Sequence, residues 1–161
     1  MTFRPLPRRC ATVALLLAVF SLPAAAEVKA SKDSVKGASN LQTIRLDGST
    51  LFASNDDKLS AGGKKALDSA LKQLASRPAA RYKITGHADR MGDRNANREL
   101  SARRAEAVRK YLLSRDGNLR LEAYGLGDSE PLVKCADAMA RDALVKCLAP
   151  NRRVEIDPLF D

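Results

Sequence analysis

Two side chains of opposite charge, Asp89 and Arg104, stand fifteen positions apart around what reads as the start of a helix. Arg104 lies in ELSARRAEAVRKYLL, residues 99 to 113. With a turn of about 100° per residue, Leu100, Ala107, Tyr111, Arg104, Val108 and Leu112 share an arc of about 140°. The spacing thus predicts a guanidinium in the middle of an apolar face. Such a group is costly to bury unless an anion meets it. One source of that anion is Asp89, three residues past Gly86 at the end of a predicted strand; the two would then form a structural ion pair. The other is a ligand. Side by side, Asp89 would hold an ammonium and Arg104 a carboxylate in a bidentate fork, which suits the zwitterionic end of an amino acid or peptide. Both alternatives are open at this point.

Other chemistry has less support. His87 is the sole histidine, with no nucleophile motif beside it and no second metal ligand, so it reads as structural. Cys135 and Cys147 contain no CxxC and allow one intramolecular pairing; a disulfide is expected over a metal site. No catalytic residue, metal or cofactor is expected. An amidase would need a zinc cluster, and a glycosidase a spaced carboxylate pair. Arg94, Arg98, Arg103 and Arg109 read as a solvated surface, and Gly86 and Gly92 as backbone devices.

The elements that must position Asp89 and Arg104 follow from period and punctuation. TIRLDGSTLF suggests a short strand, a turn at Asp47-Gly48 and a return. Ser60 caps a helix whose Leu67, Ala70, Leu71 and Leu74 follow the i, i+3, i+4, i+7 pattern, with Pro78 as its stop. RYKITG (81–86) is a strand, and a second helix runs from near Asn97 to near Asp116-Gly117. LRLEAYG (119–125) is a strand, residues 137 to 148 a short helix, and RRVEID (152–157) the last strand, placing Arg152 on one face with Val154 and Ile156. Helices between strands require crossovers. The fold class is therefore α+β, with order βαβαβ(α)β: one mixed sheet with two main helices packed on one face. Its core is aliphatic, since only 4% of residues are aromatic and none is tryptophan.

The N-terminus carries Arg4, Arg8 and Arg9 without an acid, then an apolar run of 12 residues, then Ala24-Ala25-Ala26. This order reads as a signal peptide over residues 1 to 26, cut before Glu27, and the run is short for a membrane span. Residues 27 to 41 read as a linker or loose N-terminus, and 42 to 161 as one domain. Loss of three arginines takes the formal charge from +9 to +6. A basic chain favours anionic partners, but export argues against nucleic acid. The mature chain contains no predicted transmembrane segment. Outside the inner membrane, one abundant polymer repeatedly presents an ammonium beside a carboxylate: peptidoglycan, at the side-chain end of meso-diaminopimelate.

TGHADRMGDRNANRELSARRAEAVRKYLL resembles the signature of the OmpA-like C-terminal domain, which reads TGHxD and then NxxLSxxRAxxVxxYL. Thr85, Gly86, His87, Asp89, Asn97, Leu100, Ser101, Arg104, Ala105, Val108, Tyr111 and Leu112 match its spacing. The likeness extends from about Leu51 to Ile156. CLAPNRRVEI, with Cys135, is similar to the enterobacterial OmpA type, which has a disulfide here. The resemblance implies a noncatalytic, noncovalent peptidoglycan binder. Asp89 and Arg104 match the residues that grip diaminopimelate, and Asn97 the motif asparagine that orders the ligand or its loop. Asn55 falls where an acidic or amide residue is usual, and Arg152 borders the site. The family's usual Asp one place after Phe52 is Ala53 here. The implied setting is the periplasm, at the cell wall or outer membrane. An adaptor role, with residues 27 to 41 reaching an envelope partner and the Asp/Arg pair serving only structure, is the alternative.

Overall fold

The computed structural model describes residues 42–76, 79 and 81–159. The expected signal peptide, the expected linker over residues 27–41 and the expected helix stop at Pro78 lie outside the described residues. The elements are β1 (Ile44–Asp47), α1 (Gly48–Leu51), α2 (Ala61–Ala75), β2 (Arg81–His87), α3 (Arg94–Arg115), β3 (Leu121–Gly127), α4 (Arg141–Cys147), a 3-10 turn (Ala149–Asn151) and β4 (Arg153–Leu159). The sheet is mixed, in the order β1-β4-β2-β3. β2 and β3 are parallel, joined by the α3 crossover, and β4 runs antiparallel to both β1 and β2. The α+β expectation of one mixed sheet with two main helices holds.

The expected return strand after Asp47-Gly48 does not form. The Asp47 carboxylate instead caps a one-turn helix by accepting from the Ser49 amide at 3.1 Å and the Ser49 hydroxyl at 2.6 Å. An aspartate followed by Gly-Ser-Thr offers the backbone this cap as readily as a hairpin turn. α2 begins as expected, with the Ser60 hydroxyl accepting from the Gly63 amide at 2.8 Å. α3 starts three residues before Asn97, because Asp93 caps it through the Ala96 amide at 2.8 Å. β3 begins at Leu121 rather than residue 119. β4 begins at Arg153, so Arg152 lies just before the strand and not on its face with Val154 and Ile156.

The core is formed by Leu67, Ala70 and Leu74 of α2, Ala105, Val108 and Leu112 of α3, and the inward residues Tyr82, Ile84, Val154 and Ile156 of the sheet. The buried stripe of α3 is rotated from the expected one. Ser101, Arg104, Ala105, Val108 and Leu112 are buried, whereas Leu100, Ala107 and Tyr111 are half-buried. Arg104 therefore sits on the border of the buried face, not at its middle. The rotation follows from small residues meeting small residues. A Cβ on Gly86 would run into the Ser101 carbonyl, and one on Gly125 into the Ala102 backbone. Without those side chains, α3 lies close on β2 and β3. The Ser101 hydroxyl fixes the contact by accepting from the Gly127 amide at 2.9 Å and donating to the Arg98 carbonyl at 2.8 Å.

Candidate functional site

The site lies past the C-terminal end of β2, an end where open α/β sheets place ligands. Asp89 follows the strand by two residues and is 8% exposed. One carboxylate oxygen accepts from the Met91 amide at 2.9 Å, and the other from Arg152 Nη1 at 2.6 Å. A carboxylate offers about four lone-pair positions, so acceptor capacity remains for a further donor. Asn97 works behind it. Its side-chain amide donates to the Asp89 carbonyl at 3.0 Å and to the Met91 carbonyl at 2.9 Å. Asn97 thus ties the first turn of α3 to the loop that presents Asp89.

Arg104 projects from α3 toward the segment after α1. Nε donates to the Asp56 carbonyl at 2.8 Å, Nη2 to the Ala53 carbonyl at 3.3 Å, and the guanidinium carbon stands 5.1 Å from the centroid of the Phe52 ring. The segment is braced to receive it. Asp56 caps its own turn by accepting from the amides of Asp57 at 2.7 Å and Lys58 at 3.0 Å, and Asp57 pairs with Arg103 at 3.1 Å. Asn55 occupies the exposed turn with φ of 56°, a left-handed conformation that asparagine tolerates. Arg104 is 8% exposed. Among the described residues it forms no ion pair with a carboxylate; its direct partners are two carbonyls and a ring.

The direct Asp89–Arg104 pair that the sequence allowed is therefore not formed. Arg152 holds Asp89 instead, and its two terminal nitrogens also donate to the Val145 carbonyl, both at 3.3 Å. Burial lowers the Arg104 pKa; Asp57 and Asp56 raise it, and the charge of Arg152 lowers it further. The guanidinium stays protonated at neutral pH. Counted with Asp56, Asp57 and Asp89, the three guanidiniums of Arg103, Arg104 and Arg152 are formally balanced, and among the described residues Nη1 of Arg104 makes no hydrogen bond.

The remaining candidates fall into place around this pair. Cys135 and Cys147 form the expected disulfide, closing a loop beside Asp89. His87 is 2% exposed, on the sheet face away from the helices. Among the described residues neither ring nitrogen has a hydrogen-bond partner, and Nε2 stands 3.7 Å from a Glu155 carboxylate oxygen. Burial lowers its pKa, Arg153 adds to that, and Glu155, Glu130 and Asp157 oppose it. Sequence reasoning missed the Arg152–Asp89 contact, because residues 63 positions apart give no local signal, and missed Asp93, whose capping spacing to the following amides was legible.

The chain matches the OmpA family over residues 51–143. It is 35% identical over 122 residues to "Outer membrane protein A" of Klebsiella aerogenes, covering 72% of this chain and 35% of that protein. The chain thus spans about a third of the length of that curated relative. Among solved structures, the cell wall anchor of the type VI secretion system (T6SS) from Pseudomonas aeruginosa aligns with a TM-score of 0.61 at 26% identity, covering 80% of this chain and 93% of that one. The peptidoglycan-associated lipoprotein from Burkholderia pseudomallei aligns with a TM-score of 0.53 at 27% identity, covering 73% and 90%. With the motif residues, the sheet order and these matches in agreement, the chain belongs to the OmpA family.

Proposed function

We propose that the protein binds peptidoglycan noncovalently in the periplasm, gripping the free side-chain end of diaminopimelate in the stem peptide. Arg104 takes the carboxylate and Asp89 the ammonium. The observation that carries this reading is the state of Arg104: it is 8% exposed and, among the described residues, is held by two carbonyls and a ring and pairs with no carboxylate. A guanidinium so placed is stabilised by an incoming anion, and Asp89 retains acceptor positions for the ammonium attached to the same carbon. Asn97 and Arg152 set the position of Asp89, and the 53–57 segment that includes Asn55 borders the Arg104 side. The role is binding and not catalysis, since permanently protonated guanidiniums shuttle no protons. Family membership supports the reading, as do the wall-associated names of the P. aeruginosa and B. pseudomallei proteins.

Calorimetric titration with a disaccharide-tetrapeptide tests it. The free diaminopimelate form should bind. The form whose side-chain carboxylate is amidated should bind on the order of tenfold more weakly or worse, as expected when a charge-assisted pair is lost. Arg104→Lys should weaken the free form and reduce the difference between the two ligands, because an ammonium cannot reproduce the planar fork. Equal affinity for both ligands would count against Arg104 as the carboxylate receptor.

A further inference from the structure

We infer that the disulfide-closed loop, residues 135–147, is a positioning element for Asp89, acting through the two arginines Arg90 and Arg152. The inference rests on the peptidoglycan reading of the site. Arg90 follows Asp89 directly. Its Nη1 pairs with Asp137 at 2.7 Å and its Nη2 donates to the Cys135 carbonyl at 3.0 Å, so it grips the start of the loop. Arg152 grips the other end. Its terminal nitrogens meet the Val145 carbonyl, two residues before Cys147, while Nη1 holds the Asp89 carboxylate at 2.6 Å. Val145 lies in the last turn of α4, where carbonyls have no intrahelical partner and a cation is favoured. Both flanks of Asp89 are thus fastened to one loop, at points next to its two cysteines.

What holds that loop is not core packing. α4 buries none of its seven residues and has no side-chain cap at its start. Asn151 fastens the approach, accepting from the amides of Leu132 and Val133 and donating to the Val133 carbonyl. Beyond Val133, the Cys135–Cys147 bond is the covalent constraint that keeps the two arginine anchors at fixed separation. Arg90 and Arg152 are therefore positioning residues: they act on the ligand through Asp89, as outer-shell partners do for ligating carboxylates.

Two measurements on the intact protein, Cys135→Ser/Cys147→Ser and Arg152→Gln test this. The first is amide exchange by NMR at Met91, whose N–H is bonded to Asp89, against Ile84 in the core of β2 as internal control. Both variants should raise exchange at Met91 by several-fold; Arg152→Gln should leave Ile84 unchanged, whereas loss of the disulfide lowers global stability and raises exchange at Ile84 as well. Arg152→Gln, with the disulfide intact, therefore decides. Unchanged Met91 protection in Arg152→Gln overturns the inference. The second is affinity for the disaccharide-tetrapeptide with its diaminopimelate amine free or acetylated. The native protein should prefer the free amine, and both variants should lose that preference by on the order of tenfold, as for other outer-shell losses. An equal weakening of both ligands signals a general structural effect and also overturns it. If neither ligand binds the native protein, the peptidoglycan reading fails, and the exchange measurement still decides the positioning role.

Discussion

Arg104 is held at its place by geometry that, among the described residues, gives it no direct carboxylate partner. Two carbonyls of the 53–57 segment and the Phe52 ring fix the guanidinium, and the nearest negative charges act on it only at a distance. That a guanidinium would lie against the buried face was legible from helical spacing alone. Its partners were not, because Asp89 was the visible candidate and Arg152, the actual partner of Asp89, is remote in sequence. His87 gives a separate prediction at this scale. Its folded-state pKa is lowered from 6.5 by burial and by Arg153. The unfolded chain therefore binds the proton more readily. The stability contribution is complete above about pH 6.5 and is lost as pH falls toward the folded pKa. Thermal unfolding followed between pH 7.5 and 5 should show a loss of up to about 1.4 kcal/mol per pH unit from this group. His87→Gln should flatten that part of the profile, while the carboxylate-driven loss at lower pH persists.

At the scale of elements, α3 connects fold and site. Its face was readable from the apolar period, but the phase was off. The helix turned toward the positions where Gly86 and Gly125 admit its backbone, and Arg104 moved to the border of the buried stripe. Backbone-to-backbone approach of this kind is set by what a neighbouring strand lacks, which no period within the helix reveals. Gly86→Ala should therefore cost about 3 kcal/mol in chemical unfolding, the upper range for overpacking, because the obstructing atom is a main-chain oxygen that cannot rotate away. The same variant should weaken muropeptide binding through the displaced Arg104. The one-turn α1 was also missed. Asp47 satisfies amides that the expected hairpin would have turned toward a strand, and the result delivers Phe52 and the Ala53 carbonyl to Arg104.

Across the whole molecule, the fold class was legible because strands alternated with helices, but the sheet order was not. β4, last in sequence, inserts between β1 and β2, and this brings Arg152 beside Asp89. The disulfide was legible from two cysteines in a chain read as exported. Its loop is short, so replacing both cysteines by serine should lower unfolding stability by about 3 kcal/mol, measured by denaturant titration. Family membership supports the proposed wall binding, and the partners of Arg104 support the proposed ligand with paired charges. The most direct test is co-sedimentation with purified sacculi containing diaminopimelate, comparing the native protein with Asp89→Ala and Arg104→Ala, each checked for folding by circular dichroism. The account predicts that the native protein pellets and both folded variants remain in solution. Equal pelleting of all three, or none by the native protein, would contradict it.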